Sequence, residues 1–477
     1  MNLNHGINTK ISDTDFVSVT TTPSGIPIFF GAAPVHTAAD YDGDLVLVRS
    51  FAEAEKKLGY VDSAWETWTL CEAMFGHLKL SAMAPAFFCN VFDPKTHKKS
   101  AAAADFSVSA HSVTLPGYIA DADLTIKNGQ TAVEESEYDV AYDGTDLIVT
   151  LKSDSANYGA TTLNVAGNQI DKTKITKNVV EAAIEKIEGC KAKFGVTPDL
   201  LLAPGFSNDS EVAQLLAAKA AAINGLFRGK AIVDLPSDDH EAQAYDDVHE
   251  IAQDEGFTDE NMIVCWPEFV TVGSGDGKRR LHFSTVLAGK IASVDAEHDG
   301  IPFESPSNKA LAISGAEIYA QSDAEVNLTV GEADVVSISS GVVTALNFDG
   351  WRTWGNYTAC RTVNENDPAK VYICCSRMMD YICNVFVNTF WDYVDRPLTS
   401  VLVDAIVNNF NAWLGGLTAN GALLGGEIAY VADNNPTADL LAGKFRLDTR
   451  VAAPVPAQQI DMVVEFDADL LVSSLNV

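Results

Sequence analysis

The sequence predicts a mixed α/β, multi-domain chain: an α/β core, a small all-β domain inserted into it, and extended arms at both ends. Three observations carry that prediction. Short apolar runs such as IPIFFG (26–31), DLLLAPG (199–205) and KAIVDLP (230–236) alternate with amphipathic stretches, the pattern of strands and helices packed in layers. Between 96 and 176 the composition shifts to Thr, Ser, Asp, Asn and Gly with short alternating runs. The 477 residues, 47% hydrophobic and 20% charged, are enough for several packed domains and argue against global disorder.

Residues 1–24 are Thr/Ser/Asn-rich and read as an arm, with a weak strand signal over 16–22 that includes Phe16, Val17 and Val19. A first α/β module follows over 25–95. It holds the strand IPIFFG, the strand DLVLVRS, and a helix FAEAEKKLG stopped by Gly59. A longer helix from Trp65 to Leu80 and the buried strand PAFFCNVFD complete it. In the β insert, 96–176, Tyr138, Val140 and Tyr142 alternate before Asp143-Gly144, and Leu147, Val149 and Leu151 alternate after it. That is a hairpin, because Gly supplies the positive φ of a tight turn; Asn128-Gly129 marks a second.

The core resumes over 177–451. NVVEAAIEKIEGC forms an amphipathic helix, and the next begins near Asn208–Ser210 and stops before Gly225. An acidic helix is expected at about 239–255, then the strand NMIVCW. Two strong helices, about 376–395 and 398–414, are separated by Pro397 at an N1-like position. The final segment, 452–477, opens with the stiff AAPVPAQQ. Ile460, Met462, Val464, Phe466, Ala468 and Leu470 then fall on one face of a strand and Asp461, Val463, Glu465, Asp467 and Asp469 on the other.

A formal net charge of −33 argues against nucleic acid as a partner, since binding a polyanion needs clustered cations. No apolar run spans a bilayer, so no membrane insertion is expected, and MNLNHGINTKISD lacks the pattern of a signal peptide. Eight scattered cysteines, most within apolar runs, read as reduced core residues of a reducing compartment. GSGDGKRR (273–280) fails the phosphate-loop pattern at both ends, with Val272 and Arg279 where Gly and Ser/Thr belong, and reads as a hairpin loop. His240 and His249, nine apart, suit a solvated surface. The acids Asp238, Asp239, Glu241, Asp246, Asp247 and Glu250 suit a solvated helix face. Asp295, Glu297 and Asp299 in SVDAEHDG lack the calcium-loop spacing and read as a turn. No catalytic, metal or cofactor constellation rises above background, so no cofactor is expected and the chain reads as a non-enzyme. The alternative, a Rossmann-like enzyme, rests on the alternating strands and helices of 198–266, which lack a glycine fingerprint.

The order of segments resembles the tail sheath proteins of contractile phage tails and R-type bacteriocins. HGI (5–7), IFFGAAP (28–34), TLCEAMFGHLKLSAMAPAFFCNVFD (69–93), PDLLLAPGFSND (198–209) and STVLAGKIASVDAEHDGIPFESPSNKAL (284–311) match in sequence. ALNFDGWRTWGNYTACRT (345–362), FNAWLGGLTANGAL (410–423) and RLDTRVAAPVPAQQIDMVVEF (446–466) continue the series. A departure is Ser376-Arg377, where many sheaths carry a basic pair. The resemblance implies a structural subunit that forms hexameric rings stacked helically around an inner tail tube. It implies contraction that drives the tube through a cell envelope, with baseplate and tail terminator proteins as further partners. The location it implies is a virion tail or bacteriocin particle assembled in the host bacterial cytoplasm. On this view the 460–470 strand and the N-terminal arm (Phe16, Val17, Val19) link neighbouring subunits. The insert faces outward, and Asn384, Asp392, Asp404 and Asn408 on the C-terminal helices face the tube.

Overall fold

The computed structural model describes residues 19–237, 242–318, 324–363 and 365–475. An eight-stranded sheet organises the core. Its strands, numbered within the sheet, are β1 Pro27–Gly31, β2 Leu45–Val48, β3 Ala86–Asn90, β4 Leu200–Leu202, β5 Lys230–Asp234, β6 Met262–Cys265, β7 Val342–Asn347 and β8 Trp351–Trp354. Their spatial order is β2-β3-β1-β4-β5-β6-β7-β8. Only the outermost pairs, β2/β3 and β7/β8, run antiparallel; the interior is parallel, with Ile28 opposite both Leu201 and Phe87. Parallel strands are covered on both faces, which is why PIFFG and KAIVD are apolar without alternation and buried throughout.

The two faces can be read from β1 and β3. Phe29, stacked on Phe88 with ring centroids 5.4 Å apart, meets His77, whereas Phe87 packs on Phe194 and the Cys89 thiol lies 3.8 Å from the Ala183 carbonyl. One covering layer is the helix Lys177–Ile184 with α1 (Ser210–Ala221); the other is the segment 69–80 with α2 (Phe283–Glu297). The expected helix from Trp65 begins at Thr69 and widens into a π-helix over Met74–Leu80. The widened turn lies against α2, where a Cβ on Gly76 would meet Thr285 Cγ2 at 2.6 Å. The acidic helix is shorter than expected, Val248–Asp254, with Asp246 and Asp247 ahead of it. His240, Asp238, Asp239 and Glu241 lie outside the described residues.

Residues 98–170 form separate antiparallel sheets around their own core of Val113, Leu115, Leu147, Val149, Leu163 and Val165. The hairpin Tyr138–Asp143/Asp146–Leu151 turns at Gly144, φ 60°. The stem closes where the Asp171 amide donates to the His97 carbonyl, 3.0 Å. This unit touches the core where Tyr142 stands edge-on to His36. Burial holds that imidazole at about 4 and hence neutral.

Within 177–451 the apolar side chains separate into two clusters, the second built on α3 (Ile373–Phe390) and α4 (Ser400–Ala419). Met378, Val385, Ile406, Phe410, Leu414 and Ile428 fill it. Pro397 is not the first helical residue. Thr399 caps α4, its hydroxyl accepting from the Leu402 amide, because a β-region Thr satisfies an orphan donor that Pro cannot reach. A two-stranded hairpin, Gly425–Tyr430 with Leu447–Ala452, is held to α4 by Asn411, whose amide donates to Ile428 O and accepts from Ile428 N. A short helix α5 (Ala468–Leu475) ends the described chain.

Because the insert's stem strands begin and end side by side, replacing 98–170 by a short Gly/Ser linker should leave the α/β core folded. Far-UV circular dichroism and a cooperative urea transition check this, and loss of the transition would show that the insert completes the core.

Candidate functional site

Where the two chain ends leave the body is decided by α3. Arg377 lies on its first turns, buried with 4% side-chain exposure, between two carboxylates. Its guanidinium donates to Asp295 Oδ1 at 2.9 Å and to Asp199 Oδ2 at 3.1 Å. Asp199 also accepts the amides of Gly25 and Ile26, and Asp295 accepts the Ser24 hydroxyl. Burial raises the pKa of Asp199 above the usual carboxylate range, and Arg377 opposes that shift. Further along α3, Thr389 Oγ1 accepts from Thr20 N, and Asn388 donates to Thr22 Oγ1. The N-terminal arm is therefore tied to α3 at Thr20 and Thr22 and, through Asp199 and Asp295, to Arg377 from Ser24 to Ile26. Val19 packs on the second cluster, while Phe16 and Val17 lie outside the described residues.

The C-terminal arm leaves beside the other end of the same helix. Cys375 donates to Pro454 O, and Gln458 forms a clasp, accepting from Tyr357 OH at 2.7 Å and donating to Asn356 at 3.0 Å. Beyond it, Ile460, Met462, Val464 and Phe466 stand 78–87% exposed, extended and without a sheet partner among the described residues. The strand expected over 460–470 does not form: residues 460–466 belong to no strand, and the segment ends in a helix. Asp467 Oδ1 accepts from the amides of Asp469 and Leu470 and starts α5, so Ala468 and Leu470 are helical. Each strand of the 425–452 hairpin likewise has only the other as sheet partner among the described residues. Beside it lies a groove of about 520 Å³ between the C-terminal half of α3, the N-terminal half of α4 and the hairpin. Ile382, Phe386, Phe390, Leu402, Phe445 and Leu447 line it.

Of the residues expected to face a tube, Asp404 and Asn408 are exposed one turn apart on α4, and Asp392 is exposed after α3. Asn384 is committed elsewhere: it accepts from the Arg228 amide and donates to the Arg228 carbonyl, both at 2.8 Å. Asp295, expected in a turn, sits near the end of α2. The cation it faces is Arg377, 82 residues away in sequence and therefore invisible to local spacing.

A second charged cluster occupies a cleft of about 750 Å³ at the carboxyl ends of β4 and β6. His282 Nδ1 and its own amide both engage Glu72, at 2.8 and 2.6 Å, while Asn208 and Ser237 donate to Glu268. Burial disfavours the His282 cation, but Glu72, Asp234 and Glu268 outweigh it and raise the pKa to about 9. Burial lifts Asp234 to about 7 against His282 and Ser284. The loop 273–280 forms the hairpin expected, with Arg279 paired to Asp62 and Lys278 and Arg280 to Glu317. Among the described residues no three His, Cys, Asp or Glu side chains are placed to hold a metal, and no helix is long and apolar enough to cross a membrane.

Removing Arg377 leaves two carboxylates buried without their cation. Arg377→Met should therefore cost about 3–5 kcal/mol in urea unfolding, with Arg377→Lys intermediate because it loses the two-pronged geometry. His282 and Asp234 give stability the same sign with pH. The His282 contribution, on the order of 3 kcal/mol, is complete below pH 6.5 and lost as pH rises toward about 9. That of Asp234 is complete below 3.8 and lost as pH rises through about 7. His282→Gln should flatten the fall in unfolding free energy between pH 6.5 and 9, and an unchanged slope would contradict the assignment.

No family model matches the chain. It is 25% identical over 407 residues to the tail sheath protein of Burkholderia phage BcepMu, across 80% of this chain and 82% of that one. It is 26% identical over 296 residues to a putative prophage major tail sheath protein of Pseudomonas aeruginosa, 60% of this chain and 69% of the other. In structure it is similar to the contracted sheath complex of an extracellular contractile injection system, PVC. That likeness has a TM-score of 0.58 and 12% identity over 98% of this chain and all of the other. The chain is thus similar in sequence to phage tail sheath proteins over most of its length, and similar in fold to a contractile sheath subunit from end to end.

Proposed function

We propose that this protein is the subunit of a contractile sheath, which polymerises around an inner tube and shortens to drive the tube through a target envelope. The observation that carries this reading is the pair of unsatisfied halves. One is an arm with apolar side chains and free backbone groups beyond Gln458; the other is a hairpin with open edges on the same chain. A strand edge in water is a template for pairing with another chain. Adding the 460–466 strand to a neighbour's hairpin satisfies both, with the N-terminal arm joining the same exchange. The arm carries Asp461, Glu465 and Asp467, and Lys444, Arg446 and Arg450 of the hairpin and its loop stand among four acids, so backbone pairing and apolar contact, not net charge, carry the link.

Such links suit a contracting polymer, because backbone hydrogen bonds persist while the bodies rotate about their connectors. Contraction then releases a conformational free-energy difference set at assembly, and no nucleotide is needed. Self-assembly into stacked hexameric rings and attachment to a baseplate fit relatives in fold that occur in a helical sheath and in a baseplate. The inner tube protein and a tail terminator complete the partners of this reading, in a virion tail or tail-like particle assembled in the host cytoplasm. The insert faces outward in it. An enzymatic reading of the cleft is weaker, since its charged groups are engaged with one another.

Truncation after Gln459 should give folded, soluble monomers that form no tubes by negative-stain microscopy. Polymers from the truncated protein, or its unfolding, would show that the strand belongs to its own subunit. For the tube face, Asp404→Lys should impair co-assembly with the tube while sheath-only polymers persist. Unchanged tube attachment would move that wall elsewhere.

A further inference from the structure

We propose that the apolar groove between α3, α4 and the 425–452 hairpin receives helix α5 of a second copy. This rests on the arm crossing to a neighbour's hairpin and specifies where the end of the arm goes. The groove is lined mainly by apolar side chains and lies beside the hairpin. The occupant is on the same chain: Leu470, Leu471, Val472 and Leu475 of α5 are 52–76% exposed. An amphipathic helix laid into an apolar groove is a recurrent mode of recognition.

Geometry brings the two together. A strand antiparallel to Leu447–Ala452 runs from the Ala452 end toward Leu447, so its last residue arrives beside Phe445 at the groove. There Asp467 caps α5 and turns extended chain into helix, at the point where the hairpin edge ends and the groove begins. Asp467 and Asp469 open α5, and the groove's rim offers cations among acids: Arg396, stacked on the lining Tyr393 at 4.3 Å between Asp392 and Asp395, Lys444, and Arg446, which is paired with Asp448. A helix with acids in its first turn and apolar residues after it enters such a groove with its charges at that rim.

A native cysteine makes this measurable. Cys383 lines the groove and is exposed, whereas the other seven cysteines are buried. Leu471→Cys polymers, oxidised with copper phenanthroline, should give a ladder of disulfide-linked multimers on non-reducing gels. Wild-type polymers and the Leu471→Cys/Cys383→Ser double variant should give none. Val472→Cys serves at the adjacent position if Leu471→Cys does not assemble. Polymers with no ladder from either position overturn the docking while leaving the strand link intact. A crosslink confined to monomers overturns it in favour of self-docking, and a ladder from Val464→Cys alone assigns the groove to the strand face instead. If protein truncated after Gln459 still forms tubes, the arm reading itself fails, and this inference with it.

Discussion

The ion triad of Arg377 with Asp199 and Asp295 fixes the relation between every part of the molecule that has to move or connect. Asp199 stands at the start of a central strand, Asp295 at the end of a helix covering the sheet, and Arg377 on a helix of the second cluster. Gly25 and Ile26 donate to the same carboxylates that hold the guanidinium, so the arm root is part of the cluster. Buried ions seldom add net stability over an apolar replacement, but they enforce a single geometry, since any other leaves a charge unpaired in a low-dielectric interior. For a subunit whose connectors must leave in fixed directions, that specificity matters more than the energy.

The N-terminal and C-terminal connectors are both seated on α3. Tyr372 and Cys375 meet the C-terminal arm at its start, Asn388 and Thr389 meet the N-terminal arm directly, and Arg377 holds the carboxylates to which the arm root bonds. A rotation of this helix relative to the sheet therefore shifts the exits of both arms together. In a polymer where each arm reaches a different neighbour, such coupling would transmit a change in one subunit to two others without passing through the core.

How much of this was legible in sequence follows from the range of the forces involved. The core strands were legible because burial on both faces demands continuous apolar runs, and Gly59 and Gly144 marked their cap and turn through backbone sterics alone. The helix that follows Asp467 was not, because capping there competes with the strand that the alternation from Ile460 predicts, and periodicity does not weigh the two. The π-helical turn over Met74–Leu80 depends on how closely α2 approaches, and the cap at Thr399 rather than Pro397 on a single side-chain bond. Least legible was the cluster itself. Asp295 read as a turn acid and Arg377 as a departure from a family pattern, and their relation exists only once chain segments 82 and 178 residues apart have met.

A net charge of −33 constrains what can hold copies together. Like-charged bodies repel over roughly a Debye length, about 8 Å at physiological ionic strength, so broad face-to-face adhesion is disfavoured. Backbone pairing and apolar insertion do not depend on net charge, and they act at contact distance. Concentrating such contacts in arms lets neighbours be joined while their acidic bodies stay apart. In the proposed assembly, repulsion between bodies and attraction through arms would together give a polymer that is strongly connected yet loosely packed, able to undergo subunit rotation without coming apart.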